Sequence, residues 1–352
     1  MRHLLPIFLA CGKIRAEKQK GGCRMSLTIG GVTLRHGLLL APMAGYTDYA
    51  MRRICRELGA EYLVSEMVSA KALVYGDRKS IPLARIREDE LPAAVQLFGS
   101  EPEVLAEAAR LLEGGLAGGA RPTAIDLNFG CPVRKITANG EGSALMKDPR
   151  RIESIVRAVS DAVSIPVTAK LRVGWDEASR NAVECALRAE AGGAAAVCIH
   201  GRTRTQQYSG EADLAAIASV AEALSIPVIG NGDVRDGKSA LRMKKETGCA
   251  ALMIGRGAVG NPFVFREIAS ALEGIPYAEP NLAERLSVGL RQLSYAVADK
   301  GEKTAVLETR KSFAAYLVGF RGAAALRARI HSAETYAHLA SLAEEILSQS
   351  EG

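Results

Sequence analysis

The chain has 352 residues, is 48% hydrophobic and 24% charged, and carries a net charge of +6. Such a length buries a large core and accommodates a barrel of about 250 residues plus a second unit. This composition excludes disordered and fibrous chains, and no stretch reaches the ~20 apolar residues of a membrane span. Aromatic residues make up only 5%, which leaves few platforms for stacking single-stranded bases, while the positive balance favours an anionic partner. The seven cysteines (Cys11, Cys23, Cys55, Cys131, Cys185, Cys198 and Cys249) are odd in number and scattered, without zinc-knuckle or redox-pair spacing. They are expected to be reduced thiols in a cytoplasmic protein without a bound metal.

Residues 1–24 imitate a short signal peptide, but Pro6 interrupts the apolar run and a basic segment follows, so a disordered extension is expected. Residues 27–34 read as a hairpin turning at Gly30-Gly31. Eight short apolar runs then recur one βα unit apart, at 38–42, 62–65, 93–98, 124–128, 167–171, 195–199, 228–231 and 251–254. Parallel strands buried on both faces read as such continuous runs. Between them, Asp48 opens a helix that Gly59 stops, Ser100-Glu101-Pro102-Glu103 reads as a capping box, and Asp148-Pro149 opens a helix burying Ile152, Ile155, Val156 and Val159. Eight units is the closing number. The fold class is therefore α/β, a (β/α)8 TIM barrel over 25–273 rather than an open doubly wound sheet. A linker over 274–281 leads to a small all-helical domain at 282–352. From Arg310 to Arg329 this domain carries Arg310, Lys311, Arg321, Arg327 and Arg329 with no acid, a candidate phosphate contact.

The polar residues gather at strand C-termini, where barrels keep their chemistry. These are Ala41-Pro42-Met43-Ala44-Gly45 after the first strand, Gln96 on the third, and Asn128 and Cys131 on the fourth. Lys170 interrupts the fifth, and His200-Gly201-Arg202-Thr203-Arg204 ends the sixth. Asn231-Gly232-Asp233 and Gly255-Arg256-Gly257 end the seventh and eighth. Singly, each has a bland account: Cys131 as a buried small hydrophobe, Gln96 as a core amide, His200 as a cap. Lys170 needs an anionic partner inside a barrel. The two glycine turns match the phosphate site of this fold. A phosphate there, with Lys170 and Gln96 toward the middle, points to a phosphorylated planar cofactor lying across the barrel mouth.

The segments 41–48, 126–135, 200–203 and 231–233 together resemble the tRNA-dihydrouridine synthase family, most closely its bacterial B-type branch. The resemblance covers residues 25 to about 268, and the helical domain more loosely. It implies FMN as cofactor, NADPH (or NADH) as reductant and an exposed uridine of tRNA as substrate, in a monomer that needs neither membrane nor metal. By the same resemblance, Pro42, Met43, Ala44, Gln96, Lys170, His200, Asn231, Gly232, Asp233, Gly255 and Arg256 contact FMN, and Cys131 is the catalytic residue. The family's Arg-Lys-His reads Arg310-Lys311-Ser312 here. Reducing the uracil C5–C6 bond takes a hydride at C6 and a proton at C5. Cys131 is expected to give the proton, with Arg134 and Lys135 as cations that can fold back on its thiolate. Asn128 is expected on the uracil edge, and Arg202, Arg204, Arg310, Lys311 and Arg321 on phosphates. A dihydroorotate dehydrogenase-like barrel acting on a free pyrimidine acid, and a tRNA chaperone indifferent to Cys131, are the alternatives.

Overall fold

The structure, a computed structural model, describes residues 27–350 apart from 30, 117 and 318–322. The expected extension at 1–24 and the expected phosphate contact Arg321 lie outside these residues. Strands β1 (Leu27–Ile29) and β2 (Val32–Leu34) form the expected antiparallel hairpin. Eight parallel strands follow: β3 (Leu38–Leu40), β4 (Tyr62–Ser69), β5 (Ala93–Phe98), β6 (Ala124–Asn128), β7 (Val167–Arg172), β8 (Ala196–His200), β9 (Val228–Asn231) and β10 (Ala251–Ile254). Pairing of β10 with β3 closes the barrel. β4 runs past its expected end to Ser69 through a register irregularity between Val64 and Met67.

Side-chain alternation sorts each strand into two cores. Leu38, Leu40, Leu63, Val95, Leu97, Ile125, Leu127 and Leu171 face outward and pack under the helices. Leu39, Tyr62, Ala94, Ala124, Ala196, Ile229 and Ala251 fill the barrel, where Leu27, Ile29 and Leu34 of the hairpin join them. The hairpin thus stoppers the N-terminal end. Apolar on both faces at that end, the strands lose the polar alternation of a surface sheet. Toward their C-termini the inward positions turn polar.

Helix boundaries follow local chemistry. Asp48 caps Tyr49–Glu57, accepting the Met51 N–H at 3.0 Å, and Asp148 caps Pro149–Ala162, accepting the Arg151 N–H at 3.1 Å. Ile152, Ile155, Val156 and Val159 are buried as expected. The capping box at Ser100 does not form: the helix runs Pro102–Glu113, and its N-cap is Glu101, with no side-chain cap bond. Pro102 explains the shift. The residue before a proline is pushed out of the helical region, so Glu101 stays extended and proline takes the first helical position.

The C-terminal helices Leu282–Lys300, Glu302–Ala315, Ala323–Ser332 and Tyr336–Ser350 share their own core of Leu286, Leu293, Val306, Phe313, Ile330 and Ile346. They dock on Tyr49–Glu57 of the barrel. Ile54, Leu58, Phe263, Val288 and Tyr316 pack across the junction, Tyr295 donates to Glu57 at 2.7 Å, and Lys300 meets Asp48 and Glu308.

One buried ion pair ties this junction to the barrel mouth. Arg52 (4% exposed) pairs with Glu90 (0%) and donates to the Thr47 carbonyl at 2.8 Å, while the Thr47 hydroxyl accepts the Met43 N–H at 2.9 Å. Glu90→Ala would leave the Arg52 charge buried without its partner. It is expected to cost about 3–5 kcal/mol, read as a lower urea midpoint, against the ~0–1 kcal/mol of a surface pair.

Candidate active site

The C-terminal ends of the strands surround a cleft of about 860 Å³. Pro42, Met43, Ala44, Gln96, Asn128, Cys131, Lys170, His200, Asn231, Gly232, Asp233, Gly255 and Arg256 all line it. Residues scattered over some two hundred positions thus come together. Met67, Arg172, Tyr208, Val234 and Arg235 join them.

Register sets the floor. Gln96 lies beside Asp126, Asp126 beside Thr168, and Asn128 beside Lys170. The Gln96 amide donates to Asp126 at 2.6 Å, as does the Thr168 hydroxyl at 2.6 Å. Burial pushes the Asp126 carboxyl up, and Thr168, Gln96 and Lys170 pull it back. Lys170 donates to Asn231 Oδ1 at 3.0 Å, and the Asn231 amide donates to the Met253 carbonyl at 2.7 Å. Burial lowers the Lys170 ammonium, and neighbouring Arg172 adds to that against the pull of Asp126. His200 lies well below its ordinary value of 6.5 because of burial, then Lys170, Arg172, Arg202 and Arg256, so its ring is neutral at physiological pH.

Cys131 lines the cleft at 8% exposure, at the start of the turn after β6. Burial pushes its thiol up, opposed by the Val133 N–H and the Arg172 charge. The cation near the sulfur is therefore Arg172 rather than the expected Arg134 or Lys135, which the short helix Arg134–Thr137 carries on its exposed surface. Arg172 donates to the carbonyls of Gly130 at 2.7 Å, Thr203 at 2.9 Å and Gln207 at 2.9 Å, so it holds the thiol loop and the β8 loop together. Burial pushes it down to about 10.

The opposite wall is made by the β9 and β10 turns. A Cβ on Gly257 would stand 2.5 Å from the Val234 carbonyl oxygen, and one on Gly232 (φ +129°) would stand 2.7 Å from Ala212 Cβ. The glycines let the two turns close on their neighbours. Asp233 is left-handed at φ +54° and is held there by Arg202 at 2.7 Å and the Ala212 N–H at 2.8 Å. Burial alone would raise its carboxyl, but Arg202, the Ala212 N–H and Arg256 bring it below the ordinary range.

The profile described as dihydrouridine synthase (Dus) matches residues 39–351. The chain belongs to this family. It is 42% identical over 308 residues to tRNA-dihydrouridine synthase B of Pseudomonas aeruginosa, covering 86% of this chain and 90% of that one. It is 40% identical over 307 residues to the probable tRNA-dihydrouridine synthase of Rickettsia conorii, covering 87% and 91%. These relatives support the B-type bacterial branch. Among solved structures, histamine dehydrogenase from Rhizobium sp. 4-9 superposes with a TM-score of 0.53 at 15% identity, covering 76% of this chain and 50% of that one. A 2-naphthoyl-CoA reductase gives 0.54 at 12%, covering 71% and 52%. The chain spans about half of each, and the likeness shows the barrel fold.

The basic residues of this dihydrouridine synthase are placed less as the sequence suggested. Arg202 is 2% exposed and gives its Nε and Nη2 to Asp233 and the Ser209 and Gly210 carbonyls, so it is recessed under the β9 turn rather than exposed for a phosphate. Arg310 caps the helix Ala323–Ser332, donating to the His331 and Ala333 carbonyls. Arg329 pairs with Glu345, an acid far along the chain. Ser312, at the family's histidine position, folds inward onto the Thr309 carbonyl at 2.9 Å. Two candidates keep their cations at the rim: Lys311 lies 4.0 Å over the Tyr46 ring and Arg204 lies 4.5 Å over Trp175. Arg172 lies outside the motifs the sequence singles out. Its signal was a second cation two residues beyond Lys170, hence on the same face of β7.

The neutral His200 makes stability depend on pH. The unfolded ring takes up a proton near 6.5 and the folded one does not. The contribution is therefore present above that pH and lost as pH falls below it, at no more than about 1.4 kcal/mol per pH unit. His200→Asn is expected to remove this component from chemical-denaturation free energies of the ligand-free protein measured between about pH 7 and 5.

Proposed function

We propose that this protein reduces the C5–C6 bond of uridines in tRNA, using FMN held in the cleft, NADPH (or NADH) as reductant and Cys131 as proton donor. The observation that carries this reading is a recessed thiol lining the same cleft as a half-buried lysine. Among the described residues, Lys170 donates to one side-chain acceptor, Asn231 Oδ1, and it lines the cleft. A volume of about 860 Å³ suits a cofactor with a substrate base beside it. Gln96, Lys170, His200 and Asn231 would hold the ring system next to the Pro42-Met43-Ala44 turn, and the backbone of Gly232–Asp233 and Gly255–Arg256 would hold its phosphate.

Bound there, reduced FMN supplies the hydride for uracil C6. Cys131 keeps its proton because burial outweighs the nearby positive charge. Arg172 and the Val133 N–H then stabilise the thiolate left once C5 has taken that proton. Asn128 has its Oδ1 filled by the Gly130 and Cys131 N–H groups and gives one N–H to Gln96; its other N–H rests on Met67 Sδ at 3.5 Å, a weak acceptor that a uracil carbonyl would replace. A base stacked in a helix cannot enter so recessed a site, so the uridine must be unstacked or flipped out. Lys311 and Arg204 are placed to meet phosphates around it.

Purified protein is expected to carry FMN. A colourless protein that binds no added FMN overturns the flavin reading. Cys131→Ala is expected to accept electrons from NADPH at close to the wild-type rate in stopped-flow absorbance. Its single-turnover reoxidation by unmodified tRNA should slow by ~10²–10⁴-fold, the usual worth of a general acid. Wild-type reoxidation by this variant would remove Cys131 from the chemistry. Lys311→Ala is expected to raise KM for tRNA and flatten its salt dependence by about one phosphate contact while leaving flavin reduction intact. Equal damage to both half-reactions would point to a disturbed helical domain instead.

A further inference from the structure

Beneath the cleft runs a chain of hydrogen bonds that all point one way. Gln96 Nε2 donates to Asp126 Oδ2 at 2.6 Å, and Asn128 Nδ2 donates to Gln96 Oε1 at 2.8 Å. Asn128 Oδ1 then accepts the backbone N–H groups of Gly130 at 3.1 Å and Cys131 at 2.9 Å. Neither amide has an intrinsic direction, because its oxygen and nitrogen ends are nearly the same shape. Direction is set from both ends: the Gly130 and Cys131 N–H groups can only donate, and Asp126 closes the other end. Its second oxygen accepts from Thr168 at 2.6 Å; against its burial, the Thr168 and Gln96 donors and the Lys170 charge favour the carboxylate, which has nothing to donate. Flipping Gln96 would set its oxygen against a carboxylate oxygen in a site of low dielectric, where such a clash is costly. With Gln96 so fixed, Asn128 can give its N–H to Gln96 and its oxygen to the thiol loop at once, so the two ends agree.

We propose that Asp126 is a positioning residue: through Gln96 and Asn128 it fixes the polarity of the cleft floor and anchors the backbone that carries Cys131. The floor then turns N–H rather than C=O toward a ligand: the second Asn128 N–H rests on Met67 Sδ at 3.5 Å, a weak acceptor that a ligand carbonyl would replace. A pyrimidine with a carbonyl at C4 fits it, and one with an amine there does not. The consequence for uridine reduction rests on the function proposed above, whereas the anchoring of the thiol loop does not.

The test is the rate of alkylation by iodoacetamide, read by mass on the Cys131 peptide of the full chain, with neither tRNA nor reductant present. Asp126→Asn frees Gln96 to flip, which sets its NH2 against that of Asn128 and weakens the hold of Asn128 on the loop. Alkylation of Cys131 at about pH 8 should rise about tenfold, the worth of one lost hydrogen bond, in a protein that still melts cooperatively. Combining Asp126→Asn with Gln96→Glu restores one donor and one acceptor: the new carboxylate accepts from both neighbouring amides, so Asn128 keeps its direction and the rate should return to wild type. A wild-type rate in folded Asp126→Asn overturns the proposal, and so does a double variant that stays fast. Where the single variant does not fold, the double variant decides, supporting the proposal if it folds with the wild-type rate and overturning it if it does not. Full uridine reduction by Cys131→Ala would sink the proposed function and leave this readout unchanged.

Discussion

The upper half of the barrel is polar, and below the cleft surface its polar groups are satisfied by one another. An unbonded polar group in such an interior costs several kcal/mol, roughly the scale of a whole domain's stability when two or three are left over. Parallel pairing across β5, β6 and β7 brings Gln96, Asp126 and Thr168 to one level, and Asn128 and Lys170 to the next. A slip of one residue would turn these groups out among the helices and bring Leu97, Leu127 and Ala169 inward. The register that stabilises the sheet therefore also fixes the site.

Loops carry most of the remaining groups, and buried arginines hold those loops. Arg52 secures the turn after β3, Arg172 joins the loops after β6 and β8, and Arg202 pins Asp233 after β9. Each meets backbone carbonyls in a fork geometry that a lysine cannot reproduce. Mobile segments on a rigid scaffold thereby become a fixed wall. Their positive field also reaches the chemistry. Burial first, and then the Arg172 and Arg202 charges, keep His200 neutral, and Arg172 moderates the rise that burial imposes on Cys131.

The helical domain joins the same framework. Lys300 bridges Asp48, the cap of the first barrel helix, and Glu308, and Lys311 rests on Tyr46 at the cleft edge. A contact on the outer face of these helices is only a few side chains from the Pro42-Met43-Ala44 turn.

Sequence alone determined the order of elements. Eight apolar runs at βα spacing, the caps Asp48 and Asp148 and the terminators between them depend on neighbours within a few residues, so they could be read in one dimension. So could the membership of the cleft, since a parallel barrel sends every strand's C-terminal end to one face. Tertiary structure decided what each cation does. The acid-free run from Arg310 to Arg329 meets Glu345 and helix carbonyls in space, and Arg202 finds Asp233. It also decided that Arg172, rather than Arg134 or Lys135, faces the thiol, and that Asp126 directs the amides above it. Charge pairing and hydrogen-bond direction are properties of groups far apart in the chain, and they exist only once the barrel has closed.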